Sequence, residues 1–257
     1  MTLFTAEHLA FFAGLMGNII SFLVFLAPVP TFYTIYKKKS SEGFQSLPYI
    51  VAFFSASLLL YYAFLKKNAF MIVSINGIGC VIELIYLTIF LVYASREARM
   101  FTVKLILASN VGALGMIMIV TLLFVHTNAL RVTIVGWTCA IINLAVFAAP
   151  LSIMKQVITT KSVEFMPFSL SFFLTLCATA WFFYGLFVKD LYIAIPNVMG
   201  FIFGIAQMTL YMIYKNAKPD NLKMKSFEQD EEKAIDDDQK QAITPTNVEL
   251  KTIIVAN

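Results

Sequence analysis

Charge is scarce in this 257-residue chain, where Asp, Glu, Lys and Arg make up 13% of the residues. A soluble domain carries about 25%. Histidine occurs twice, tryptophan twice and cysteine three times. Cys80, Cys139 and Cys177 all fall inside apolar runs, so neither a disulfide framework nor a zinc spacing is available. His8 and His126 are too few and too peripheral for a metal centre. No nucleophile pairs with a base, and no glycine motif for phosphate or dinucleotide binding is present. These absences argue against an enzyme and leave no cofactor or metal to expect. The formal net charge is +4, but no basic patch is interleaved with aromatics as a nucleic-acid groove requires.

What the chain has is hydrophobic length: 60% of its residues are apolar and its mean hydropathy is +0.80. A spanning helix needs about 20 such residues. Seven runs meet that need, at 8–36, 47–65, 69–94, 103–125, 131–156, 167–187 and 191–214. The runs are continuous rather than alternating, and backbone in lipid must bond within its own helix, so an all-α membrane protein is expected. No basic segment precedes the first run, which reads as a retained helix and not a cleaved signal.

Loop charge orients the helices. The loops after the first, third and fifth runs and the start of the tail carry twelve Lys and Arg, including Lys37, Lys38, Lys39, Arg96, Arg99 and Lys161. The other loops carry Lys66, Lys67, Arg131 and Lys189. The amino terminus is therefore expected outside the cell and the carboxyl terminus in the cytosol. Residues 215–257 hold nine of the fifteen acids and few apolar groups, the composition of a disordered tail.

The chain is duplicated. A shift of 122 residues carries Val24, Phe25, Ala27, Pro28, Lys39, Ser40, Glu42, Ala56, Tyr62 and Lys67 onto the same residue types at Val146, Phe147, Ala149, Pro150, Lys161, Ser162, Glu164, Ala178, Tyr184 and Lys189. Repeats of three spans each, with one crossing helix between them, lie parallel in the membrane. That predicts a 3+1+3 fold, divided into a first bundle (1–100), a linker helix (101–128), a second bundle (129–214) and the tail (215–257). Parallel repeats of this kind enclose a substrate site near mid-bilayer and rock to give alternate access.

Polar residues inside the spans mark where that site lies, because they are costly unless they face protein or a wet cavity. Ser21, Val24 and Pro28 share one face of the first helix, and Asn143, Val146 and Pro150 repeat it. Ser55, Leu59 and Tyr62 on the second helix are matched by Cys177, Trp181 and Tyr184 on the sixth. Asn76 is matched 121 positions later by Asn197. A single buried Asn serves equally well as an interhelical bond. Two at matched depth suit an uncharged, hydroxyl-rich ligand, since an amide both donates and accepts. Trp181 offers a flat face for sugar C–H groups or simply packs, and Trp137 reads as interfacial belt. Pro28, Pro48, Pro150 and Pro167 read either as kinks and helix starts or as hinges of a gate.

MGNIISFLVFLAPVPTF, KKKSSEGFQSLPY, SINGIGCVIE, VFAAPLSIMKQVITTKSVEFMPFSLSFFLT, WFFYGLFVKD and AIPNVMGFIFGIAQMTLYMIY together resemble the plant SWEET sugar facilitators, from Leu9 to about Tyr214. The likeness is greatest to the sucrose-transporting clade III, and SASLLLYYA with GWTCAIINLAVFAAP is similar to its nectary-type members. The resemblance implies a bidirectional, energy-independent uniporter for sucrose or another small sugar in the plasma membrane, surrounded by lipid and associating as a homo-oligomer. It implies sugar-binding roles for Asn76 and Asn197, with Trp181 as an aromatic wall. Ser21, Val24, Ser55, Asn143, Val146 and Cys177 match the remaining pocket positions, Pro28, Pro48, Pro150 and Pro167 match a proline tetrad, and Tyr62 with Asp190 matches an extracellular gate. Two positions depart from the pattern: Leu59 stands where most clade III members have a second tryptophan, and Asn143 where serine is common.

Glu83 is the one clearly intramembrane acid, with no intramembrane His or Lys to relay a proton. Passive transport is therefore expected, with Glu83 as a structural hydrogen-bond hub. A proton-coupled PQ-loop exporter shares the triple-helix plan, but KKKSSEGFQSLPY lacks the Pro-Gln pair. A seven-helix receptor is the remote alternative, disfavoured by the duplication and the short loops.

Overall fold

Helix is the only spanning structure open to these apolar runs, and the computed structural model, which describes residues 5–217 apart from Phe165, is helical from end to end. Among the described residues there is no strand, and seven helical spans are long and apolar enough to cross a membrane. The expected disordered tail lies, from residue 218 onward, outside the described residues.

Three of the seven spans are interrupted. The first is α1 (Ala6–Leu26) and α2 (Val29–Lys38), parted at Ala27 and Pro28. The fifth is α7 (Asn128–Ala145) and α8 (Ala148–Thr160), parted at Val146 and Phe147. Between them come α3 (Leu47–Leu65) and α4 (Phe70–Tyr93). The linker is α5 (Arg96–Ile106), a π-helical segment (Leu107–Ala113) and α6 (Leu114–Leu123). The chain ends its described part with α9 (Phe168–Phe187) and α10 (Leu191–Tyr214). The linker thus starts at residue 96, not 103: the Ser95 hydroxyl accepts from the Ala98 amide and caps a charged first turn that hydropathy alone leaves out.

The duplicated Lys-Ser-x-Glu has a structural cause. α2 and α8 both stop on a lysine in the left-handed region, Lys39 (φ 55°) and Lys161 (φ 54°). In both loops the following serine hydroxyl then accepts from the glutamate amide, Ser40 from Glu42 and Ser162 from Glu164. Lys39 also donates to the Tyr93 hydroxyl at 3.0 Å and lies over the Tyr36 ring. The Tyr93 bond raises the Lys39 pKa above its ordinary 10.5. Its contribution is complete below that pH and is lost only as pH rises through the raised value.

Within each half the third helix lies between the other two: α4 packs on α1 and α3, and α10 on α7 and α9. The halves meet crosswise, α1 against α9 and α3 against α7. The linker is tied to α3 by two buried hydroxyl pairs, Ser46–Thr102 and Tyr61–Thr121, both 2.7 Å.

Burial divides along the bundle axis. At the Asp190 end one apolar cluster joins the halves, with Leu58, Tyr62 and Ile72 from the first and Val135, Tyr184 and Ile193 from the second. At the end bearing Lys37–Lys39, each half has its own: Phe32, Ile35, Tyr86 and Phe90 in the first, Met154, Val157 and Met166 in the second. The halves are cemented at one end and separately packed at the other.

Gly185 lets α9 turn tightly into α10, since a Cβ there would lie 2.9 Å from the Ala194 amide nitrogen and 3.0 Å from the Asp190 carbonyl oxygen. Both obstacles are backbone and cannot swing aside. Gly185→Ala is expected to destabilise the protein by about 1–3 kcal/mol, read as a lowered thermal midpoint in detergent. An unchanged midpoint would show that the turn relaxes freely.

Candidate functional site

Between the halves, beneath the shared core, lies a cavity of about 330 Å³. Of the pocket residues named from sequence, Ser21, Val24, Leu59, Asn76, Asn143, Val146, Cys177, Trp181 and Asn197 line it. Ser55 does not, but its hydroxyl donates to Asn143 Oδ1 at 3.0 Å and so holds a residue that does.

The two asparagines are set up alike. Asn76 Nδ2 donates to the Ile72 carbonyl of its own helix at 2.9 Å, and Asn197 Nδ2 to the Ile193 carbonyl at 2.7 Å. Each bond fixes the rotamer with one N–H. Each amide keeps its second N–H and its carbonyl oxygen for whatever occupies the cavity. Asn143 is more committed: besides receiving Ser55 it donates to the Cys139 carbonyl at 2.9 Å.

Aromatic rings close two sides. Trp181 stands edge-on to Tyr184 (5.3 Å, 80°), and its indole N–H donates to the Ser21 hydroxyl at 3.0 Å. Phe25 and Phe147 also line the cavity. They are repeat partners and lie against partner glycines: a Cβ on Gly79 would meet the Phe25 ring at 2.5 Å, and one on Gly200 the Phe147 ring at 3.3 Å.

Toward the Asp190 end the way is shut. Asp190, 2% exposed, accepts from the Tyr62 hydroxyl at 2.8 Å, pairs with Lys66 and receives the Tyr192 amide at 3.1 Å. Tyr192 stacks edge-on against Tyr62 and lines the cavity from above. This joins α3 of one half to α10 of the other. Toward the lysine end a second cavity of about 280 Å³ lies between α1 and α9, bordered by Pro167 and sharing Val24 with the first.

The prolines occupy different local positions. Pro28 precedes α2 at the break in the first span, and Pro48 sits in the first turn of α3. Pro150 falls in the first turn of α8, after its break, and Pro167 caps α9. Where Pro28 interrupts the helix, the freed Phe25 carbonyl is bonded by the Tyr86 hydroxyl at 2.8 Å.

Glu83 corrects an expectation. It is 4% exposed and off the cavity, and its Oε2 has no hydrogen-bond partner among the described residues, so it is not a hub. Seven cavity residues escaped sequence reasoning: Phe25, Ile72, Ile75, Phe147, Tyr192, Ile193 and Pro196. Tyr192 and Phe25 look like ordinary apolar lining in sequence, but Pro196, inside α10 and beside Asn197, is legible as a mid-membrane helix defect.

A seven-span bundle of two crosswise halves, with an uncharged, mainly apolar cavity carrying a few amide and hydroxyl groups between them and shut at one end, defines a membrane carrier. A family described as a sugar efflux transporter for intercellular exchange matches residues 11–98 and again 133–219, and the chain belongs to it: this is a SWEET-family transporter, a multi-pass membrane protein and not an enzyme. It is 66% identical over 213 residues to the bidirectional sugar transporter NEC1 of Petunia hybrida, covering 83% of this chain and 80% of that one. It is 58% identical over 216 residues to the bidirectional sugar transporter SWEET9 of Arabidopsis thaliana, covering 84% and 83%. A eukaryotic SWEET transporter structure superposes with a TM-score of 0.77 at 36% identity, covering 82% of this chain and 98% of that one.

Asp190→Ala removes the acceptor that both Tyr62 and Lys66 use. With Cys80 and Cys139 replaced by alanine, labelling of Cys177 by an impermeant maleimide added from the Asp190 side is expected to rise several-fold. Unchanged labelling would mean that the shared apolar core alone seals this end.

Proposed function

We propose that this chain is a bidirectional, energy-independent uniporter that carries sucrose, with hexoses as secondary substrates, out of cells across the plasma membrane by alternating access. The observation that carries this reading is the pair of half-satisfied amides, Asn76 and Asn197, facing one cavity from opposite halves. A sugar hydroxyl both donates and accepts, and each amide retains one donor and one acceptor for it. Trp181 supplies the apolar face against which sugar C–H groups pack. Ser21, Val24, Leu59, Asn143, Val146 and Cys177 complete the wall and set its size, with Ser55 holding Asn143 in place from behind.

Alternating access is supported by the uneven burial of the two ends. The Tyr62–Asp190–Lys66 cluster is the extracellular gate, here closed, and the separately packed lysine end is the cytosolic mouth. Pro28, Pro48, Pro150 and Pro167 act there as hinges: Pro28 and Pro150 lack the amide that would tie the helix across the breaks in the first and fifth spans, and Pro48 and Pro167 begin α3 and α9 without a backbone bond to the preceding loop. The amino terminus lies outside and the carboxyl terminus in the cytosol. The working units are the bundles 1–100 and 129–214, the linker 101–128 and the tail 215–257, with the whole assembled as a homo-oligomer in lipid. Proton coupling is not favoured, since Glu83 is off the cavity.

Counterflow of radiolabelled sucrose and glucose into proteoliposomes, with no ion gradient, tests the proposal. Sucrose exchange is expected, and Asn76→Ala or Asn197→Ala is expected to lower it roughly tenfold or more, the scale of one lost hydrogen-bonding group of about 1.4 kcal/mol. Glucose exchange without sucrose would remove the disaccharide reading and keep the carrier. Exchange of neither would overturn the sugar assignment.

A further inference from the structure

The duplication pairs the two side walls of the cavity residue by residue. Under the 122 shift Gly17 corresponds to Cys139, Ser21 to Asn143, Ser55 to Cys177 and Leu59 to Trp181. The contacts correspond too: Ser55 bonds Asn143 at 3.0 Å, and Cys177 contacts Ser21 at 3.2 Å. The two corners are built on one plan and filled differently.

In the corner that holds Trp181, α1 meets the indole without an intervening side chain. A Cβ on Gly17 would lie 2.9 Å from Trp181 Cε2 and 3.0 Å from Nε1, closer than real Cβ contacts come. One turn further along α1, the Ser21 hydroxyl takes the indole N–H at 3.0 Å. The ring is therefore held at its pyrrole edge from two points of one helix. In the other corner the position of Gly17 carries Cys139, 1% exposed, Asn143 replaces serine, and Leu59 replaces the indole. That wall offers an aliphatic side chain and a largely committed amide.

We infer that Gly17 is a positioning residue for the sugar site: its missing Cβ, together with the Ser21 hydroxyl, holds the Trp181 indole in one orientation, and that fixed aromatic face sets which sugars the cavity accepts. The inference rests on the sugar-carrier reading above and adds its specificity element. With one indole rather than two, selectivity depends on the plane of a single ring. A ring held at two points loses little orientational freedom when sugar stacks on it. A ring freed to turn would sweep into the cavity and penalise a large sugar more than a small one.

The chain has two tryptophans, so Trp137→Phe in the full-length protein leaves Trp181 as the sole fluorophore. Trp137 does not line the cavity. In that background Gly17→Ala and Ser21→Ala are each expected to shift the sugar-free emission maximum and to increase quenching by acrylamide. In counterflow both are expected to raise the half-saturation for sucrose roughly three- to tenfold, with a smaller rise for glucose, and Gly17→Ala, which lies off the cavity, is expected to keep maximal exchange within about twofold of the parent. Ser21→Thr keeps the hydroxyl and is expected to retain the parent emission. Parent-like emission in both alanine variants would overturn the seat. Altered emission with an unchanged sucrose-to-glucose ratio would overturn the specificity role. If Gly17→Ala fails to fold, Ser21→Ala alone carries both readings. A parent that exchanges neither sugar would defeat the sugar-carrier reading, while the sugar-free emission series would still decide whether Gly17 and Ser21 seat the ring.

Discussion

Backbone amides and carbonyls inside a bilayer have no water to turn to, and the rest of this molecule is arranged around how that demand is met. Where a span is broken, a side chain steps in, as the Tyr86 hydroxyl does for the Phe25 carbonyl beside Pro28. Where a span places an asparagine at the cavity, its amide returns one hydrogen bond to its own helix four residues back. Asn76, Asn143 and Asn197 all do so. The capacity left over is what the cavity offers a ligand. The site is thus assembled from the same local bonds that make polar residues tolerable in a membrane at all.

The duplication explains the plan and its imperfections explain the direction. Tyr62 and Tyr184 are repeat partners, yet Tyr62 is bonded to the buried Asp190 while Tyr184 packs beside Trp181 and Gly14. The position matching Asp190 in the first half is Asn68, exposed in a turn. Only one carboxylate is therefore available to bind the halves, and it lies at one end. Burying it is costly in itself, so it is retained with Tyr62, Lys66 and the Tyr192 amide all directed at it. At this end the halves are thus joined twice, by the polar cluster and by the apolar core beside it.

The linker shows a different use of irregularity. Its π-helical segment, Leu107–Ala113, widens the helix at mid-span, and Asn110 there keeps one amide oxygen without a partner among the described residues. The span is nevertheless anchored, because Thr102 and Thr121 bond Ser46 and Tyr61 on either side of the widened turn. The linker belongs mechanically to the first half and leaves the crosswise contacts to α1, α3, α7 and α9.

Seven spans, their all-helical character and the two repeats follow from sequence alone, because hydropathy over 20 residues is a large summed signal and the duplicated Pro, Lys-Ser-x-Glu and Tyr hold one register. The facing pairs on helix surfaces also follow, since 3.6-residue periodicity puts Ser21 with Val24 and Cys177 with Trp181 before any packing is known. The linker's early start at Arg96 was hidden, as Ser95 capping lets a charged turn join an apolar helix. So were the breaks three residues apart in register at Pro28 and before Pro150, which depend on which carbonyls neighbouring helices can satisfy. Tertiary structure alone decided that Ser55 serves Asn143 and does not reach the cavity, that Glu83 lies off it without a partner for one oxygen, and that Gly17 faces an indole 164 positions away in the chain. Those outcomes turn on distances between helices, and a linear pattern of polar and apolar residues sets faces without setting distances.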